Sequence, residues 1–188
     1  MKIKTEPPLR ASPDPEKIFR QGEAFLEAMT LLVRCARPAN QAQLGAPIVV
    51  NSAFASEIFL KCLIRLESGQ TARGHHLDAL FARLHPATRQ EIDALWREGI
   101  VRKEQATLRI EAAMGITIPR KLQDCLAAGG RAFEATRYLY EGDGKVRFVL
   151  TDLPKMLHEV ILARRPEWSQ PLPEPRLIEE MQFQKPST

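Results

Sequence analysis

Apolar residues recur along this chain at helical spacing, and almost nowhere do they alternate in the manner of a strand. Asp14 followed by Pro15 reads as a helix start, a capping carboxylate ahead of a proline placed where its missing N–H does no harm. Ile18, Gly22, Phe25, Met29, Leu32 and Ala36 then follow one stripe, widened by Leu26 and Val33, until Arg37-Pro38 stops it. A loop, PANQAQLGAP, leads to Pro47 and a second helix expected over roughly 48–68. That segment, IVVNSAFASEIFLKCLIRLESG, is apolar on nearly every side, which predicts the central helix of a bundle, with Gly69 as its left-handed terminator. Its polar exceptions are Asn51, Ser52, Glu57, Lys61 and Arg65. The last three step by four residues and form one row. Spacing alone leaves two readings of that row open, a solvated strip with a Glu-to-Lys pair or the wall of a cleft.

Leu77, Leu80, Phe81 and Leu84 mark one face of a short helix that Pro86 ends, with His75 and His76 at its entrance. Residues 87–98 form another helix with Ile92, Leu95 and Trp96 inward, and 97–121 reads as less regular. A long helix is expected from about Pro119 to Tyr140, carrying Leu122, Leu126, Gly129, Phe133 and Tyr140 on one stripe. EGDGK (141–145) reads as a turn and VRFVL as a short extended piece. Thr151 is expected to cap a final helix whose inward residues are Leu153, Met156, Leu157, Val160 and Ile161. The fold class is therefore all-α: a compact bundle of five to six helices over 14–164. A flexible lead (1–13) precedes it, and a proline-rich, flexible or clasping tail (165–188) follows.

With 188 residues the chain suits one domain, long enough to bury about two-thirds of its unfolded surface. A composition of 44% hydrophobic and 27% charged residues is ordinary for a soluble globular protein. The net charge of +4 permits contact with nucleic acid without requiring it. Residues 97–121 concentrate that charge: Arg97, Arg102, Lys103, Arg109, Arg120 and Lys121 face only Glu98, Glu104 and Glu111. No aromatic residues interleave with them to stack on bases. Cys35, Cys62 and Cys125 are odd in number, far apart and set in apolar helical patterns, which predicts buried thiols in a reducing compartment. No leader is read at the start, and no uncharged run is read as reaching the length of a membrane span, so a cytoplasmic protein is expected. No glycine-rich phosphate loop is present. Two adjacent histidines without a CxxC or HxxxH partner do not suit a metal, so neither metal nor cofactor is expected. The plain alternative for His75 and His76 is that one imidazole caps the helix or packs at the junction.

Three stretches carry a resemblance. SAFASEIFLKCLIRLESG, GHHLDALFARL and the later FEATRYLYE together resemble the HEPN-domain superfamily over roughly residues 15–163. In that pattern the central helix carries a Glu and a Lys, matched by Glu57 and Lys61. A Gly-His-polar-Leu turn follows, matched by Gly74, His75, His76 and Leu77. An Arg-Tyr-x-x-Glu on the late helix is matched by Arg137, Tyr138 and Glu141. The resemblance implies a HEPN-like bundle, commonly a homodimer, of the kind found in bacterial toxin–antitoxin and phage-defence systems. It also implies that Glu57, Lys61, His75, Arg137, Tyr138 and Glu141 converge, either as a structural polar network or as a binding or catalytic cleft.

HEPN ribonucleases are typified by an Arg followed, after four to six residues, by a His, and no histidine of this chain has an arginine in that window. The resemblance thus implies first a noncatalytic module that binds RNA, a nucleotide or a protein partner such as a cognate antitoxin or defence protein. The alternative is a divergent metal-independent ribonuclease or nucleotide-modifying toxin using His75 and Arg137. A helical adaptor with no nucleic-acid role is the third reading.

Overall fold

The computed structural model describes residues 13–37, 39–115, 117–137 and 151–170. Six α-helices and one 3₁₀ turn make up the described fold, and no strand occurs among these residues. The helices are α1 (Pro15–Cys35), α2 (Gln41–Ser68), α3 (Leu77–Ala82), α4 (Pro86–Met114), α5 (Leu122–Arg137) and α6 (Leu153–Arg164). The turn is Pro166–Ser169.

The centre is α2, which packs against α1, α3, α5 and α6. From Ser52 to Ile64 only Phe54, Glu57 and Lys61 escape full burial, as a helix apolar all round requires. Residues 38–56 carry no charge, a longer run than the sequence reading allowed. Accordingly, α2 is the one described helix long and apolar enough to cross a membrane, yet 61% of that stretch is buried inside the bundle. It is a core helix. Gly69 ends it at φ 68°, as expected.

Helix α1 begins where Asp14 accepts the Glu16 N–H at 3.0 Å. It crosses α2 closely at Gly22, where an added Cβ would stand 2.5 Å from Cε1 of Phe59. Beside that crossing, Phe19 gathers three rings: Phe59 at 5.8 Å, His158 of α6 at 5.2 Å and Trp168 at 5.3 Å between centroids. Nε2 of His158 lies 3.1 Å from the Glu23 carboxylate, which holds the imidazole in the stack. Trp168 is buried, and Arg20 donates to the Gln170 carbonyl at 3.0 Å. The packed unit therefore runs past Arg164 to Gln170, beyond the expected bound of the bundle at 164. Residues 171–188, the lead 1–12, and the expected turn and extended piece at 141–150 lie outside the described residues.

Four local expectations are corrected. Helix α2 starts at Gln41, so Pro47 sits inside it and not at its head. The turn ahead of Pro47 forms on the Asn40 carbonyl, which accepts the N–H groups of Gln43 and Leu44. Helix α4 continues to Met114 through the segment read as irregular, and Gly115 terminates it at φ 63°. The N-cap of α6 is Asp152 and not Thr151; its carboxylate is taken by Lys103 at 2.6 Å and makes no cap bond. Helix α5 begins at Leu122. The cysteines also divide. Cys62 and Cys125 are buried and their thiols pushed up to about 12 and about 11 by burial, whereas Cys35 is exposed at the end of α1.

A polar clamp ties α2, α4 and α6. Glu67 accepts from the Thr88 hydroxyl, from the His85 N–H at 2.8 Å and from Arg164 at 3.1 Å; Arg164 also reaches Glu91 at 3.0 Å. Burial alone would raise the Glu67 carboxyl, but these donors outweigh it and hold it below its ordinary 4.5. A lowered acid contributes stability above its ordinary value and loses it as pH falls through the folded one. Glu67→Gln is therefore expected to cost about 1–3 kcal/mol at neutral pH in denaturant unfolding. The gap to wild type should narrow below about pH 4.5, and a gap independent of pH would contradict the charged clamp. For the helix crossing, Gly22→Ala is expected to cost about 1–3 kcal/mol by overpacking against Phe59. A neutral Gly22→Ala would mean that α1 does not rest on that ring.

Candidate functional site

The row Glu57, Lys61 and Arg65 lines a cleft of about 370 Å³ between α1 and α2. Four-residue spacing puts the three on one face of α2, and Phe54 and Ile58 continue that face into the apolar part of the cleft. Helix α1 supplies Ile18, Gln21 and Phe25; Thr71 and Ala72 come from the segment after Gly69, with Pro13 at the rim. The cleft explains a departure from the α1 stripe: Ile18 and Phe25 fall on the predicted inward face but are only partly buried, because they open onto this space. The rings of Phe25 and Phe54 stack at 5.1 Å between centroids, 26° from parallel. They form a flat apolar wall next to the charged row.

Glu57 is the hub of the polar part. Its Oε1 accepts from Nζ of Lys61 at 2.7 Å and lies 3.0 Å from Nδ1 of His75. An ionised carboxylate only accepts, so the imidazole proton of this pair belongs on Nδ1 and Nε2 is left free of the carboxylate. The Glu57 side chain is 12% exposed and that of Lys61 23%, whereas His75 is 76% exposed and stands at the mouth. Gly74, at φ 92°, brings the chain to this position in a conformation that side-chain-bearing residues rarely adopt. Arg65 makes no ion pair among the described residues, so the cleft keeps a net positive charge after Glu57 and Lys61 cancel.

Of the six residues expected to converge, the described structure brings together Glu57, Lys61 and His75. Arg137 is the last residue of α5, with its side chain outside the described set, as are Tyr138 and Glu141 altogether. His76 occupies the N-cap of α3 without a side-chain cap bond. Among the described residues no three His, Cys, Asp or Glu side chains stand close enough to share a metal ion. Sequence reading placed the polar row but missed the apolar half of the site. Ile18 and Phe25 look like core positions, and only the arrangement of α1 on α2 shows that they line a void.

Fold and site together define an all-α helical bundle with a small-molecule-sized, cationic and partly aromatic cleft between its first two helices. Comparison with protein-family models, with characterised proteins and with solved structures finds no match to the chain.

Replacing Glu57 removes the acceptor shared by Lys61 and His75, but both donors can turn to water. Glu57→Ala is therefore expected to cost only about 1 kcal/mol in thermal or denaturant unfolding. A loss of about 3–5 kcal/mol would make the pair a buried structural network, and no loss at all would return it to a solvated strip.

Proposed function

We propose that this chain is a HEPN-like helical module that binds a nucleotide, or the nucleotide end of a single-stranded RNA, in the α1–α2 cleft. The observation that carries the reading is the junction of a stacked aromatic wall, Phe25 and Phe54, with the cationic edge formed by Lys61 and Arg65. A base has an apolar face that suits such rings, and stacking on an aromatic side chain contributes about 1–3 kcal/mol per base. A phosphate suits an unpaired guanidinium, whose planar fork of donors matches its oxygens. A volume of about 370 Å³ is at the small end of ligand sites and fits one nucleotide, not a duplex. The absence of an Arg followed, after four to six residues, by a His favours binding over cleavage. By the same resemblance, the module would work as a homodimer within a bacterial toxin–antitoxin or phage-defence system.

Isothermal titration with AMP and with a short single-stranded RNA tests this. Saturable binding is expected, weakened about tenfold or more by Arg65→Glu, which is about 1.4 kcal/mol. No saturation by either ligand at millimolar concentration rejects the reading, and a plain helical adaptor then stands in its place.

One observation favours a second reading, the divergent ribonuclease or nucleotide-modifying toxin. The Glu57 carboxylate sets the tautomer of His75 and leaves Nε2 unblocked, an arrangement suited to proton transfer; that Arg137 would hold the phosphate is what the resemblance implies. His75→Gln keeps hydrogen-bonding capacity but cannot titrate. RNA cleavage by wild type that this variant abolishes without changing the melting temperature would establish catalysis. Absence of wild-type cleavage leaves His75 as the residue that holds the turn against Glu57.

A further inference from the structure

Helix α4 carries a second surface, which shares no residue with the cleft. Its first turns bury Ile92, Trp96 and Gly99, but beyond Ile100 most of its positions face solvent. Ala94, Val101 and Leu108 are one heptad apart and so fall on nearly one line along the helix. Val101 is 75% exposed and Leu108 51%, and their shared line makes them an apolar stripe and not scattered single residues. Val101 also borders a groove of about 630 Å³ between α4 and the start of α5, lined by Arg97, Ile100, Lys121 and Leu122.

The charges around this stripe are unbalanced in one direction. Glu104 and Glu111 are both engaged by Arg120, at 3.1 and 2.7 Å; with the Ile118 N–H, that guanidinium holds the Glu111 carboxyl down to about 2. Lys103 is engaged by Asp152 and Arg97 by Asp93. Arg102, Arg109 and Lys121 make no ion pair among the described residues, and Glu98 is the one unpaired carboxylate along the same stretch. An apolar line flanked by unmatched cations is complementary to an apolar line flanked by carboxylates. Among the described residues no aromatic side chain is exposed along it to stack a base, and a phosphate backbone offers nothing to Val101 or Leu108.

We infer that the outward face of α4, from Ala94 to Leu108 with the groove beside Lys121, docks an acidic amphipathic helix of another protein. Val101 and Leu108 would pack against its apolar stripe, while Arg102, Arg109 and Lys121 pair with its carboxylates. The small apolar area makes the contact transient and salt-sensitive.

The test uses a fluorescein-labelled three-heptad peptide with leucines on one stripe and glutamates on both flanks, titrated with the full chain and followed by anisotropy. Saturable binding is expected, about tenfold weaker for Arg102→Glu/Arg109→Glu, comparably weakened by Val101→Ser/Leu108→Ser, and weakened by added salt. Arg65→Glu should leave it unchanged, which separates this surface from the cleft. These α4 side chains are exposed, and circular dichroism checks that each variant keeps its helices. The inference is overturned if the peptide does not saturate, or if a lysine-flanked or leucine-scrambled peptide binds equally well. It is also overturned if a single-stranded RNA, and not the peptide, responds to the arginine reversals. A homodimer in sedimentation that the Val101→Ser/Leu108→Ser variant dissolves would assign the face to a second copy, and would likewise overturn it.

Discussion

The close approach of α1 to α2 at Gly22 is the constraint on which the rest of the structure depends. Only a residue without a Cβ lets the Phe59 ring lie against the α1 backbone, and close packing leaves little slack to absorb even one methyl group. The crossing places Phe19 where His158 and Trp168 reach it from the far end of the chain. It also places Ile18 and Phe25, roughly a turn to either side of Gly22, beside Ile58 and Phe54 of α2. One contact thus seats the aromatic core and shapes the cleft.

Within the cleft, the chemistry follows from one carboxylate serving two donors. Glu57 pairs with Lys61, so among the described residues the free cation of the site is Arg65, one turn further along α2. His75 completes the arrangement from a turn that has no helical register of its own and depends on Gly74 for its direction. The polar half of the site therefore rests on the buried core helix, while the histidine sits at its mouth on the loop that leads into α3.

Legibility in the sequence tracked burial. Helices α2, α3 and α6 were readable because their apolar patterns leave only one environment that fits them, and the Glu57–Lys61–Arg65 row stood out against such a background. The distal half of α4 was not, because it turns no core-facing stripe to the bundle and its exposed Val101 and Leu108 are too few to set a period. It persists on the propensities of Arg, Lys, Glu, Gln and Ala and on the terminator Gly115. Pro47 and Thr151 misled for a local reason: each is a strong boundary residue, and backbone bonds or a distant partner, Lys103 on Asp152, decided the boundary instead. The clamp of Glu67, Thr88 and Arg164 joins residues with no shared spacing, and only the fold connects them. For the cleft, spacing showed the charges and the resemblance brought His75 to them; the aromatic wall required the packing of α1 on α2.

The ring cluster around Phe19 has a consequence for how the protein is made. Phe19 is synthesised early and Phe59 soon after, but His158 and Trp168 leave the ribosome only once nearly the whole bundle has been translated. Until then α1 and α2 can meet as a hairpin with one side of Phe19 bare, and the apolar surface of α2 waits for α6. Contacts so distant in sequence are slow to close and leave sticky intermediates in the meantime. Completion of this core thus waits for the last helix and the turn after it, and chain segments stalled before Trp168 emerges would present the apolar side of α2 to whatever chaperone is at hand.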